Sequence, residues 1–203
     1  MAEPDCSISY NYELNKPFPK PEPAEKEAQT LEPENKELAD YGTLVHKIFE
    51  LSEHKQEYLQ NRATLKLAIE SSLGIKLKAK EFENAVNEVA NCLHSPELEA
   101  IFETNDKQEI LKEVPISFIK NQKVLYRIID HLIINDEQTW IIDYKTARNV
   151  SNETLQQHAM QYQAQMNTYA YAVRKLYPDK TIRASILFTS IATLVDLEVE
   201  PKF

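Results

Sequence analysis

Only two cysteines, Cys6 and Cys92, occur in 203 residues. They lie far apart in unlike contexts, which excludes a disulfide framework and any four-cysteine zinc or iron–sulfur site. A reducing, cytoplasmic setting is the expectation. Glycine is equally scarce: Gly42 and Gly74 are too few for a Gly-x-x-x-x-Gly-Lys-Ser/Thr phosphate loop, so an ATP site is not expected. No apolar run approaches the ~20 residues that cross a bilayer, and the charged, proline-rich opening predicts no signal peptide. Basic charge is short as well. Against 32 Asp and Glu stand 23 Lys and Arg, for a formal net charge of −9. No broad basic stripe is visible, so a phosphate backbone would be brought to this chain by another domain or subunit rather than gripped by it alone.

What is present divides into two parts. Residues 1 to about 37 hold six of the ten prolines, including Lys16-Pro-Phe-Pro-Lys-Pro-Glu-Pro23. Such a segment buries no core and is expected to be a flexible linker or tail, with Ile8, Tyr10, Tyr12 and Phe18 as its apolar exceptions. One globular domain is expected over residues 38–203. Apolar residues at helical spacing predict helices over about 38–51, 58–73 and 79–93. Gly74 ends the second, and Pro96 stands at the first position of a further short one. The period then changes to two: strands are expected over 110–119, in the two arms around Asn135-Asp136-Glu137-Gln138, over 182–189 and over 194–199. One long helix, opened by Asn152-Glu-Thr-Leu and running to about Leu176 before Pro178, separates the third strand from the fourth. The order implies an α/β fold with a central mixed sheet of about five strands.

The segment Tyr126 to Lys145 carries the chemistry. If Asp136 and Glu137 form a two-residue turn, Asn135 faces Gln138, and counting outward sets Asp130 opposite Asp143. Alternation puts Lys145 on the face of Asp143 and Tyr144 on the other. Facing carboxylates repel unless something compensates, and a hard divalent cation is the usual compensation. A solvated sheet face is the plainer reading of a lone Asp-x-Lys. Both aspartates, however, lie inside apolar runs, which suits a central strand. Elsewhere, His46 sits within a strongly apolar helix, where a packed or hydrogen-bonded histidine is the plainer reading. Gln161, Gln165 and Tyr169 recur every fourth residue of the long helix, on one face of it. Their amides and hydroxyl can serve phosphate oxygens or orient a lysine.

Taken in order, Gly42-Thr-Leu-Val-His46, Asp130, Asp143-Tyr-Lys145 and Gln165-Met-Asn-Thr-Tyr169 resemble the nuclease domain of the RecB/AddA branch of the PD-(D/E)XK superfamily. Glu113-Val-Pro115 is similar to a Glu-x-Pro strand common in these domains. The resemblance implies a restriction-endonuclease-like core and an exonuclease V-like, Mg²⁺- or Mn²⁺-dependent deoxyribonuclease. It further implies action on single-stranded DNA ends in repair or recombination, beside a helicase domain or subunit in cis or trans. It implies metal ligands at His46, Asp130, Asp143 and the Tyr144 carbonyl, and Lys145 as the residue that positions water and stabilises developing charge. Gln165 and Tyr169 would orient Lys145 or contact the DNA backbone. The chain departs from the pattern where Arg127 takes the place of a glycine usual shortly before the first aspartate. The alternative is a catalytically inactive copy of the fold used for DNA binding or subunit docking.

Overall fold

The computed structural model describes residues 36–52, 61–103, 106–120, 123–147, 150–151 and 153–199. The expected linker over 1–37 lies outside them, except where the first helix begins. Helices α1 (Lys36–Leu51), α2 (Arg62–Leu73) and α3 (Ala79–Leu93) come first, and a 3₁₀ turn, Pro96–Leu98, leads into the short α4 (Glu99–Phe102). Strands β1 (Gln108–Lys120), β2 (Lys123–Asn135) and β3 (Gln138–Lys145) follow, then α5 (Leu155–Met160), α6 (Gln163–Leu176), β4 (Thr181–Phe188) and β5 (Thr193–Leu197). The strands lie in the order β1-β2-β3-β4-β5. Only β3 and β4 pair in parallel, because α5 and α6 supply the long crossover that a parallel pair needs. The mixed sheet expected from the sequence is therefore present.

Local chemistry accounts for the element ends. Asn61 caps α2 by accepting from the Thr64 amide, and Gly74 closes it in the left-handed region at φ 67°, where glycine is least strained. Residues 58–60, expected to begin the second helix, lie outside the described residues. Ser95 makes no side-chain cap, although Pro96 does open the turn. Between β2 and β3 the Asn135 side chain accepts from the amides of both Glu137 and Gln138, an Asx turn that fixes the hairpin register.

The single long helix expected up to Leu176 is two helices. The amides of Gln161 and Tyr162 reach back three residues, to His158 and Ala159, and end α5 with a tight turn. The Tyr162 carbonyl then starts α6 by accepting from Met166. Gln161 is exposed at this break, outside the Gln165–Tyr169 helix it was expected to share.

The sheet separates two apolar cores. On one side, α1, α3 and α4 pack Leu44, Ile48, Phe49, Val86 and Phe102 against Ile133, Ile142 and Tyr144. On the other, α6 packs Met166, Tyr169 and Val173 against Ile129, Leu132, Ile141 and Ile186. Strands β1 and β2 change phase between these cores. Leu111 and Leu132 face the α6 side, yet so do Val114 and Ile129, which strict alternation would place on the other side. The slip is centred on Glu113, whose φ is 50° in the middle of a strand, and on Asp130 opposite it. A non-glycine residue held there costs roughly 1–3 kcal/mol, so the surrounding cores must impose it.

Candidate metal centre

Three carboxylates stand in a row across three strands. Pairing of His131 with Ile142 sets Asp130 against Asp143 one step further on. Pairs on either side of the slip, Lys112 with His131 and Val114 with Ile129, set Glu113 against Asp130. The sequence reasoning gave the first juxtaposition and left Glu113 without a role. The same outward counting, begun from Lys120 opposite Lys123, would have found it.

Helix α1 brings His46 over this row. Gly42 permits the approach: a Cβ there would sit 3.2 Å from Thr146 Oγ1, just past the end of β3. One turn later Phe49 lies against Tyr144, with ring centroids 4.5 Å apart. His46 is thereby held with Nδ1 3.3 Å from Asp130 Oδ1 and Nε2 3.1 Å from the Tyr144 carbonyl. Both ring nitrogens thus face acceptors, an arrangement that suits the imidazolium. Burial disfavours that cation, but the hydrogen bond and charge of Asp130, with Asp143 and Glu113 beyond, outweigh it and hold the pKa above its ordinary value.

Asp143 belongs to a second group. It is 2 % exposed, and burial first, then Asp130, raise its pKa to about 6 against the attraction of Lys145. Its Oδ1 accepts from Gln165 Nε2 at 2.8 Å. Oδ2 lies 2.6 Å from Lys145 Nζ, a close charge contact without hydrogen-bond alignment. Gln165 also accepts from Lys145 Nζ at 3.3 Å and donates to the Tyr169 hydroxyl at 2.8 Å. Tyr169 in turn donates to the Ile128 carbonyl. Tyr162, brought in by the break between α5 and α6, places its ring 4.5 Å from Lys145 Nζ. No residue motif in the sequence announced that contact. Burial opposes the Lys145 ammonium, but Asp143 more than restores it, and the pKa lies above the usual lysine value. Arg127, in the place of the usual glycine, donates to the Tyr126 carbonyl and lends its positive charge to the surroundings of Tyr169.

Tyr144 contributes at two points. Its amide donates to Asp130 Oδ2 at 2.7 Å, which fixes that carboxylate. Its hydroxyl meets His131 Nδ1 at 2.7 Å on the α1 side of the sheet, where its ring also packs on Phe49. Burial, aided by Lys112, pushes the His131 pKa down to about 3, so this histidine is neutral and structural.

The donor set fits a hard divalent cation. His46, Glu113 and Asp130 each offer a ligand atom, and these atoms lie within 4.8 Å of one another. Three carboxylates face one ammonium and, without a cation, one imidazolium, which still leaves the site short of positive charge; a cation would displace the His46 proton, and oxygen donors with one imidazole suit magnesium or, better, manganese. The profile of the PD-(D/E)XK nuclease superfamily matches residues 5–200.

The chain belongs to the PD-(D/E)XK nuclease superfamily. No curated protein matches it in sequence. As a superfamily member it has the fold of metal-dependent nucleases, and His46, Glu113 and Asp130 form a group that could hold a metal ion; Asp143 and Lys145 stand two residues apart on β3. No helix among the described residues is long and apolar enough to cross a membrane.

Proposed function

We propose that this PD-(D/E)XK nuclease is of the RecB/AddA type and hydrolyses single-stranded DNA from an end, with Mg²⁺ or Mn²⁺, in repair or recombination. The observation that carries the reading is the double attachment of His46, to Asp130 and to the Tyr144 carbonyl. It joins the Gly-Thr-x-x-His helix to the Asp-Tyr-Lys strand, as the RecB/AddA-like order of motifs implies. The Gln165–Tyr169 pair then buttresses the lysine of that strand.

His46, Asp130, Asp143 and the Tyr144 carbonyl are the groups assigned to hold the cation. A divalent cation bound there lowers the pKa of water and offsets charge on the scissile phosphate. Lys145 stays protonated under the influence of Asp143, so its part is to orient water and stabilise negative charge developing on phosphate oxygens. Gln165 holds Asp143 and Lys145 at fixed positions, and Tyr169 holds Gln165. Water adds to phosphorus as the P–O bond breaks, leaving one phosphate end and one hydroxyl end.

The acidic balance of the chain favours delivery of DNA by a helicase domain or subunit. Digestion of linear and circular single-stranded DNA, beside linear duplex, tests the reading. Linear single strands shortened from one end, with circles intact, are expected; equal cutting of circles would refute action from ends.

A further inference from the structure

We infer that the arm formed by β1 and the first half of β2 is a rest for the DNA single strand, its bases lying on Pro115, Val124, Tyr126 and Ile128, with the Tyr126 ring stacked on one of them. The inference rests on the single-strand reading above and names where that substrate is held. β1 and β2 pair from Gln108 opposite Asn135 as far as Lys120 opposite Lys123, whereas β3 pairs with β2 over His131 to Ile134. Among the described residues, the part of β2 before Asp130 is thus paired with β1 alone. One face of this two-stranded arm packs Val114, Ile116, Phe118 and Ile129 into the α6 core. The other face carries the alternate residues, and it is bare. Val124 is 67 % exposed, Tyr126 41 % and Ile128 40 %, and Pro115, opposite Ile128, is exposed as well.

Exposed apolar side chains scattered singly are ordinary, but three of the seven large ones among the described residues stand here in one stripe. Charge decides its occupant. Residues 114–129 carry Lys120, Lys123 and Arg127 and no acidic residue, in a chain of net charge −9. Apolar and aromatic surface beside cations suits a single-stranded nucleic acid, whose base faces are open for stacking while its phosphates seek positive charge. A duplex hides those faces. Ser117, opposite Tyr126, is too small to cover the ring. The stripe also leads to the site: it runs along β2 to Asp130, whose Oδ1 meets His46 of α1, and Tyr126 lies about 13 Å from Asp130 along the strand. The Tyr169 hydroxyl, donating to the Ile128 carbonyl, fixes the root of the arm. Three cations are too few to grip a DNA backbone alone, so the arm aligns a strand that is brought to it.

The test is binding of a fluorescein-labelled single-stranded oligodeoxynucleotide to the full chain, by anisotropy at low salt in EDTA, beside cleavage kinetics of the same strand with Mn²⁺. Tyr126→Ala should bind the strand about tenfold more weakly, with the loss in cleavage carried by KM. Tyr126→Phe, which keeps the ring, should bind as wild type does. Val124→Asp, at an exposed position where folding is spared, should weaken binding through its charge. Lys120→Gln combined with Lys123→Gln should flatten the salt dependence of binding. Leu67→Ala, an exposed apolar position on α2, should bind as wild type, and Tyr126→Ala should keep wild-type affinity for duplex. Unchanged single-strand affinity in Tyr126→Ala and Val124→Asp, with wild type cleaving the strand, would overturn the role of the arm. That result would leave the nuclease reading intact and give the bare face to a protein partner. Equal losses in Leu67→Ala, or on duplex, would also overturn it, and absence of both binding and cleavage by wild type would overturn both.

Discussion

Asp143 is a carboxylate the fold holds against its own stability, and replacing it should separate stability from activity. Its pKa rises from 3.8 to about 6, mainly through burial. At about 1.4 kcal/mol for each pH unit, ionising it costs the cation-free fold about 3 kcal/mol. Asp143→Asn keeps the shape and the acceptor for Gln165 but turns an amide toward Lys145 Nζ, which costs about 1 kcal/mol. The net gain is about 2 kcal/mol, or a melting temperature higher by about 4–8 °C for a chain of this length. The sign depends on pH. Below 3.8 the carboxyl is protonated in both the folded and the unfolded chain, and the wild type carries no penalty. The penalty grows as pH rises and is complete above about 6. Calorimetric scans in EDTA at pH 8 and pH 3.5 should therefore show the variant ahead at pH 8 and without that advantage at pH 3.5. A variant less stable than wild type at pH 8, or ahead by the same margin at both values, would refute the reasoning.

Lys145→Gln should lower kcat for DNA cleavage by about 10²–10³ while the domain stays folded; steady-state kinetics beside circular dichroism check this. Tyr144→Phe should cost about 1–3 kcal/mol in urea unfolding, because it leaves the buried His131 Nδ1 without its partner. Cleavage by that variant should stay within about tenfold of wild type, since the Tyr144 amide and carbonyl are backbone groups. Ile142→Ala should destabilise by about 3–5 kcal/mol, the cost of a cavity at a fully buried position of a central strand.

The hairpin was legible in the sequence because its information is local. A polar break, two alternating arms and an Asx turn are enough to set Asp130 against Asp143 and Lys145 on the same face. The approach of His46 was legible only through resemblance, since it depends on α1 lying close at Gly42 and Thr146, far apart in sequence. Glu113 was within reach of counting from Lys120 opposite Lys123, but not of alternation, because its left-handed backbone breaks the period of two on which strand reading depends. The break before α6 was hidden for a different reason. Neither Gly nor Pro marks it, and the tight hydrogen bonds of Gln161 and Tyr162 follow from how α5 and α6 pack on the sheet. That break moved Gln161 out of the site and brought Tyr162 in.

The most direct test of the account is cleavage of end-labelled linear single-stranded DNA by the purified chain with Mn²⁺, beside EDTA and an Asp143→Ala variant of confirmed fold. The account predicts a ladder of shortened products with wild type and Mn²⁺ alone, and none in either control. Products that persist in Asp143→Ala, or in EDTA, would contradict it.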